Sequence, residues 1–132
     1  MSQIGDYLKK GTYFLATVDG DQPRVRPVGA VYDGPDGRAH IGIGSFKNVY
    51  KQLKANPKCE IVACDGGEWL RYTGTAVFDD TDEYSEAILD AIPFLREHVY
   101  NEETGFKMET FHLENATAQI IDMMTVVEEL DV

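Results

Sequence analysis

The chain has few of the residues on which disulfide scaffolds, metal centres and hydrolases are built. Two cysteines, Cys59 and Cys64, occur in 132 residues, too few for a disulfide framework. They lie five positions apart on one expected strand, so their side chains point to opposite faces. They read as small hydrophobes in a reducing compartment. The three histidines, His40, His98 and His112, are scattered and show no metal-ligand spacing with each other or with the cysteines. Ser2, Ser45 and Ser85 lie in no nucleophile elbow. No apolar run approaches a membrane span, and the start, MSQIGDYLKKG, has no signal-peptide stretch. A cytoplasmic location without a membrane partner is therefore expected. Basic residues are scarce too, 12 against 23 acidic, for a net charge of −11. Such a surface repels a polyanion, so nucleic acid is not an expected partner.

What is present is an ordinary globular composition, 43% apolar and 27% charged, which fits one domain over residues 1–132. The charge is uneven. Between Gln22 and Cys64 seven basic residues face three acidic ones, whereas from Asp79 onward fifteen acids face only Arg96 and Lys107. An anion can thus be held in the first half by a local positive field. Residues 5–10 suggest a short leading helix. Strands are expected at 12–18, 24–32, 38–44, 59–64 and 69–78, joined by short Asp-Gly turns. Pro27 places the second of them at an edge or beside a bulge. One helix interrupts them between the third and fourth. Short strands of this regularity point to an antiparallel barrel in an α+β domain. Beyond Phe78, DDTDEYSEAILDAIPFL reads as a capped acidic helix with Ile88, Leu89 and Ile92 on one face, stopped by Pro93. Residues 96–105 read as loop or a short helix. Strand character returns around ENA, with a final hairpin as one option.

The inserted helix carries the main functional signal. Asn56-Pro57 ends it, and Ser45 is a suitable N-cap, placing it at 46–55. Phe46, Val49, Tyr50 and Leu53 form its apolar stripe, and Lys47, Lys51 and Lys54 share a neighbouring face. A lysine in the first turn opposes the helix dipole unless an anion occupies that end. Free amides, a serine hydroxyl and the glycines of GIGS make such a site for phosphate. An exposed lysine face and strand glycines are also what a plain solvated surface looks like. G-x-G-x-x-K is neither a Walker A loop nor a dinucleotide fingerprint, because the spacing and the βαβ context are missing. Arg24 and Arg26 lie on one side of a strand. Together with the lysines and the solitary Trp69 they suggest a phosphorylated aromatic ligand.

Three stretches, YFLATVDGDQPRVRPVG, GSFKNVYKQLKANPKCEIVAC and EWLRYTGTAVFDD, resemble in order and spacing the FMN-binding split-barrel family related to pyridoxamine 5'-phosphate oxidase. The resemblance covers roughly residues 11 to 80. It implies a split barrel that forms a homodimer with two FMN sites at the interface. Carried over by position, Arg26, Pro27 and Val28 correspond to the strand lining the flavin and its phosphate. Ile43, Gly44 and Ser45 correspond to the strand end leading into the helix. Lys47 corresponds to the phosphate lysine, with Lys51 one turn on, and Trp69 to a residue beside the ribityl chain or ring. The family's substrate motif of Arg and Trp is missing from ENATAQIIDMMTVVEELDV, so oxidation of vitamin B6 is not the activity expected. The resemblance implies an oxidoreductase passing electrons from a reduced nicotinamide to a small acceptor of nitro or quinone type. The alternatives are a flavin carrier or sensor without turnover, or a split barrel holding deazaflavin or haem. Haem needs an axial ligand, for which only the scattered histidines offer themselves.

Overall fold

The computed structural model describes residues 3–132, so Ser2 lies outside the described residues. Helix α1 (Gln3–Lys9) precedes four strands, β1 (Tyr13–Asp19), β2 (Gln22–Val28), β3 (Val31–Asp33) and β4 (Ala39–Gly44). Then follow α2 (Asn48–Ala55), β5 (Lys58–Asp65), β6 (Glu68–Phe78), α3 (Glu83–Ala91), α4 (Pro93–His98), β7 (Met108–Asp122) and β8 (Thr125–Leu130). The sheet runs β2-β1-β5-β6-β7-β4-β3, with β8 paired to β7. Long β7 is its trunk. The start of β7 pairs with β4 and β6, and its end pairs with β6 and β8. Alternation of side chains buries one face of β1 and β5, β4 is buried on both faces, and Tyr13, Leu15, Ile41, Ile61, Leu70 and Phe111 are each 0% exposed. Helix α2 closes this core with Val49 and Leu53, and each such aliphatic side chain contributes about 2 kcal/mol on burial.

The α+β barrel expected from the sequence is present, with several corrections inside it. The expected second strand, 24–32, is two strands separated by Gly29-Ala30. They lie at opposite edges of the sheet, so this dipeptide carries the chain from one edge to the other. The Ala30 carbonyl fixes the crossing by accepting the Gly42 N–H (3.1 Å) and the Tyr13 hydroxyl (2.7 Å). The inserted helix therefore follows the fourth strand, not the third. Pro27 sits on edge strand β2, where a missing N–H costs no ladder bond. Cys59 is buried and Cys64 exposed, as the alternation requires.

Helix α2 begins at Asn48, with Lys47 in extended geometry at its N-cap. Ser45 is not the cap: its hydroxyl donates to the Lys107 carbonyl at 3.1 Å. Phe46 leaves the apolar stripe for the same reason, lying outside the helix. It is 41% exposed and stacks on Phe106, with ring centroids 4.0 Å apart. Pro93 both ends α3 and starts α4, where its missing N–H is harmless. The C-terminal hairpin is β7–β8.

Opposite the β6 irregularity between Thr73 and Thr75, Asn115 adopts φ 50°. A Cβ at Gly74 would stand 3.0 Å from the Ala116 Cβ and 3.1 Å from the Glu114 carbonyl. A side chain there would need the facing part of β7 to give by a few tenths of an ångström. Gly74→Val should destabilise the barrel by about 1–3 kcal/mol, read as a lower urea midpoint at unchanged slope. A midpoint equal to the parent's would show that the bend does not need glycine.

Candidate functional site

A cavity of about 350 Å³ opens where β2, β4 and the start of α2 meet α4. Of the nine residues singled out in the sequence, Arg26, Pro27, Val28, Ile43, Gly44 and Lys47 line it. Ser45 is turned toward Lys107. Lys51 stands exposed on α2. Trp69 is on β6, opposite Cys64 and Ile121, with Arg71 over its ring at 4.9 Å. None of these three reaches the wall of that cavity.

The two cations are held differently. On β2, Arg26 pairs in register with Leu15, which turns its side chain to the covered face under α2. Its Nη1 donates to the Leu15 carbonyl at 3.1 Å and to Thr17 Oγ1 at 2.7 Å, and Nη2 donates to Gln52 Oε1 at 2.6 Å. Burial, and then Arg24, lower its pKa from the ordinary arginine value. All three partners are neutral, so the guanidinium is fixed in position without a counter-charge. Lys47 stands at the α2 N-cap with its Nζ 5.9 Å from the Phe46 ring centre. The free amides expected at this helix end are partly used: Ser45 N–H donates to Lys107 (2.9 Å) and Lys47 N–H to Gly44 (3.1 Å). Charge on the side chains, more than the helix end itself, makes the cavity attractive to an anion.

The rest of the wall is apolar. Ile92, Leu95, Tyr100 and Met108 face it from the α3–α4 connection, α4, the segment after α4 and β7. Ile92 was expected to belong to the α3 core stripe. It is 37% exposed because the chain leaves the helix before Pro93. At Gly42 a Cβ would come within 2.7 Å of Met108 Sδ, so strand backbone itself forms part of the wall.

A second cluster of polar groups was not foreseen. His40, Asp79 and His112 meet beneath the surface. Asp79, read as part of a capping and solvated acidic run, has a side chain only 6% exposed. Burial pushes its carboxyl pKa up, but bonds from Thr110, His112 and His40 outweigh this and hold it below the usual value. The absence of metal-ligand spacing in the sequence is compatible with this cluster, because its members are 39 and 33 residues apart.

An open antiparallel barrel with a helix inserted before its central hairpin, and a basic-edged cavity beside that helix, is a split barrel. The chain matches the family model for pyridoxamine 5'-phosphate oxidase over residues 5–119 and belongs to that family. Among solved structures, a NimC/NimA family protein from Clostridium acetobutylicum is 35% identical, with a TM-score of 0.77 over 89% of this chain and 84% of that one. A pyridoxamine 5'-phosphate oxidase-related, FMN-binding protein from Nostoc punctiforme shares the fold at 15% identity and TM-score 0.61, over 89% and 76% of the two chains. A heme-binding protein from Mycobacterium smegmatis does so at 15% identity and TM-score 0.65, over 91% of this chain and 52% of that one. A comparison with curated proteins found no match. No helix among the described residues is long and apolar enough to cross a membrane.

Proposed function

We propose that this protein binds FMN in the cavity and acts as a small oxidoreductase, passing electrons from a reduced nicotinamide to a small acceptor of the nitro or quinone class. One observation carries the reading: Arg26 and Lys47, without carboxylate partners among the described residues, share a wall with Val28, Ile43, Leu95 and Tyr100. That combination suits a phosphorylated flat ring. Gly42 and Gly44 let Met108 and Phe46 close directly on the strand backbone, where a Cβ would meet each at 2.7 Å, and so shape the wall behind the ligand. Bound FMN would supply the electron transfer. The chain would supply the phosphate contacts through Lys47 and Arg26, and Ile92, Leu95 and Tyr100 would keep water from the ring. The homodimer is part of this proposal: Trp69 would then come to the site from a second copy. Among the described residues no histidine lines this cavity, which favours a flavin over haem.

Titration with FMN and with riboflavin tests the phosphate assignment. Lys47→Ala should weaken FMN about 10-fold, the worth of one charged contact, and leave riboflavin unchanged. An unaltered FMN dissociation constant would remove Lys47 from the site. Steady-state oxidation of NADH and NADPH, with and without a nitro or quinone acceptor, separates an enzyme from a flavin carrier. Flavin binding without acceptor-dependent turnover would leave the carrier.

A further inference from the structure

His40 comes from β4, Asp79 from the residue after β6, and His112 from β7. Their side chains are 1%, 6% and 9% exposed. His40 Nδ1 lies 2.9 Å from Asp79 Oδ2, and His112 Nδ1 lies 2.8 Å from Asp79 Oδ1. Thr110 donates its hydroxyl to Asp79 Oδ2 at 2.7 Å. The outer nitrogens also face carboxylates: His40 Nε2 stands 2.9 Å from Asp36 Oδ2, and His112 Nε2 stands 2.8 Å from Glu114 Oε2. Arg38 Nη1 is 3.1 Å from that same His112 nitrogen. The Tyr84 ring stacks on His40 with centroids 3.7 Å apart.

A neutral imidazole has one N–H to give, yet each of these rings has a carboxylate at both nitrogens. If Asp36 and Glu114 take the Nε2 protons, which requires the donor-only Arg38 to turn away from His112 Nε2, two Nδ1 lone pairs point at the oxygens of one buried carboxylate. A cation between them removes that repulsion. Three carboxylates against a single arginine make the surroundings negative as well. We propose that His40 Nδ1, His112 Nδ1 and the Asp79 carboxylate bind one divalent cation of the zinc class. The three ligand groups already lie within 4.8 Å of one another, close enough to converge on one ion. Two imidazole nitrogens select zinc-like ions over magnesium or calcium. Asp36 and Glu114 then take the part of carboxylates that orient metal-bound imidazoles through the far N–H.

The site is structural and separate from the cavity of Arg26 and Lys47. It is buried, and it ties the paired strands β4 and β7 to the segment entering α3. Its rival is a second proton on each ring, giving two imidazoliums around Asp79.

The test uses the full chain, freed of metal by a chelator and dialysed against Co²⁺ or Zn²⁺. One Co²⁺ per chain is expected, with visible d–d bands of four- or five-coordinate intensity, displaced by Zn²⁺. Zn²⁺ should raise the melting temperature and Mg²⁺ should not. Glu114→Gln, at a half-exposed position that tolerates the change, should weaken Co²⁺ about 10-fold through lost orientation of His112. His98→Ala should leave binding intact. Nitrogen-15 NMR should show Nδ1 of both buried rings without a proton in the Zn²⁺ form. Binding lost with His98, an unmoved melting temperature, or doubly protonated rings in saturating Zn²⁺ would each overturn the proposal.

Discussion

Asp79→Ala should cost the fold about 3–5 kcal/mol, the range for deleting one partner from a buried charged network. For a domain of this size that corresponds to a fall in melting temperature of about 10–20 °C. The carboxylate is the shared partner of His40 Nδ1, His112 Nδ1 and the Thr110 hydroxyl, and removing it leaves three buried polar groups without it at once. Each of them then keeps its desolvation cost without the bond that compensated it. Because all three share one partner, the losses should not add: after Asp79→Ala, His112→Ala should cost far less than it does in the parent. A thermal melt of the single and double variants gives the coupling directly. If Asp79→Ala melts within about 2 °C of the parent, less than 1 kcal/mol is at stake, and the cluster is not a structural anchor.

Asp79 also shows what the sequence made readable and what it did not. Local patterns revealed local structure. β-branched and aromatic content marked β1, alternating small and branched residues marked β4, Asp-Gly turns bounded the strands, and the spacing of Val49, Tyr50 and Leu53 marked the buried side of α2. Misreadings fell where a distant partner decides. Gly29-Ala30 looked like the middle of one strand, because nothing local says that its two halves belong to opposite sheet edges. Ser45 had the chemistry of an N-cap, but the Lys107 carbonyl, 62 residues away, takes its hydroxyl. The cavity was legible on the side built by β2, β4 and Lys47, where charge and glycine spacing signal a ligand. Its apolar side was not, since Ile92, Leu95 and Tyr100 resemble core residues until their packing is known. The His40–Asp79–His112 cluster left no spacing signal, because each member comes from a different segment.

Val62→Asp should convert the proposed dimer to a monomer and carry flavin affinity down with it. On β1, Tyr13 and Leu15 point inward, so Phe14 points out and is 44% exposed. Register aligns Pro27, Phe14, Val62 and Arg71 in one row across β2, β1, β5 and β6. The next row brings Val25, 69% exposed, beside Ala16. This face, apolar on β2 and β1, carries the Arg71–Glu60 pair and Trp69 on its β5–β6 flank, and a second copy of the chain is the occupant proposed for it. Arg71 stands opposite that position on β6 but already pairs with Glu60 at 3.6 Å, so closing the interface over an added aspartate would bury one carboxylate in excess, costing about 3 kcal/mol or more, roughly 100-fold in association. The barrel interior is untouched, so far-UV circular dichroism should match the parent's. Sedimentation velocity should show one chain in place of two. Trp69 is the sole tryptophan, which makes its fluorescence a site-specific reporter. FMN should quench it in the parent and fail to do so in Val62→Asp if the second copy delivers that side chain to the site. A variant that remains dimeric would move the interface elsewhere on the barrel. A monomer that binds FMN as tightly as the parent would make the cavity of Arg26 and Lys47 a complete site within one chain.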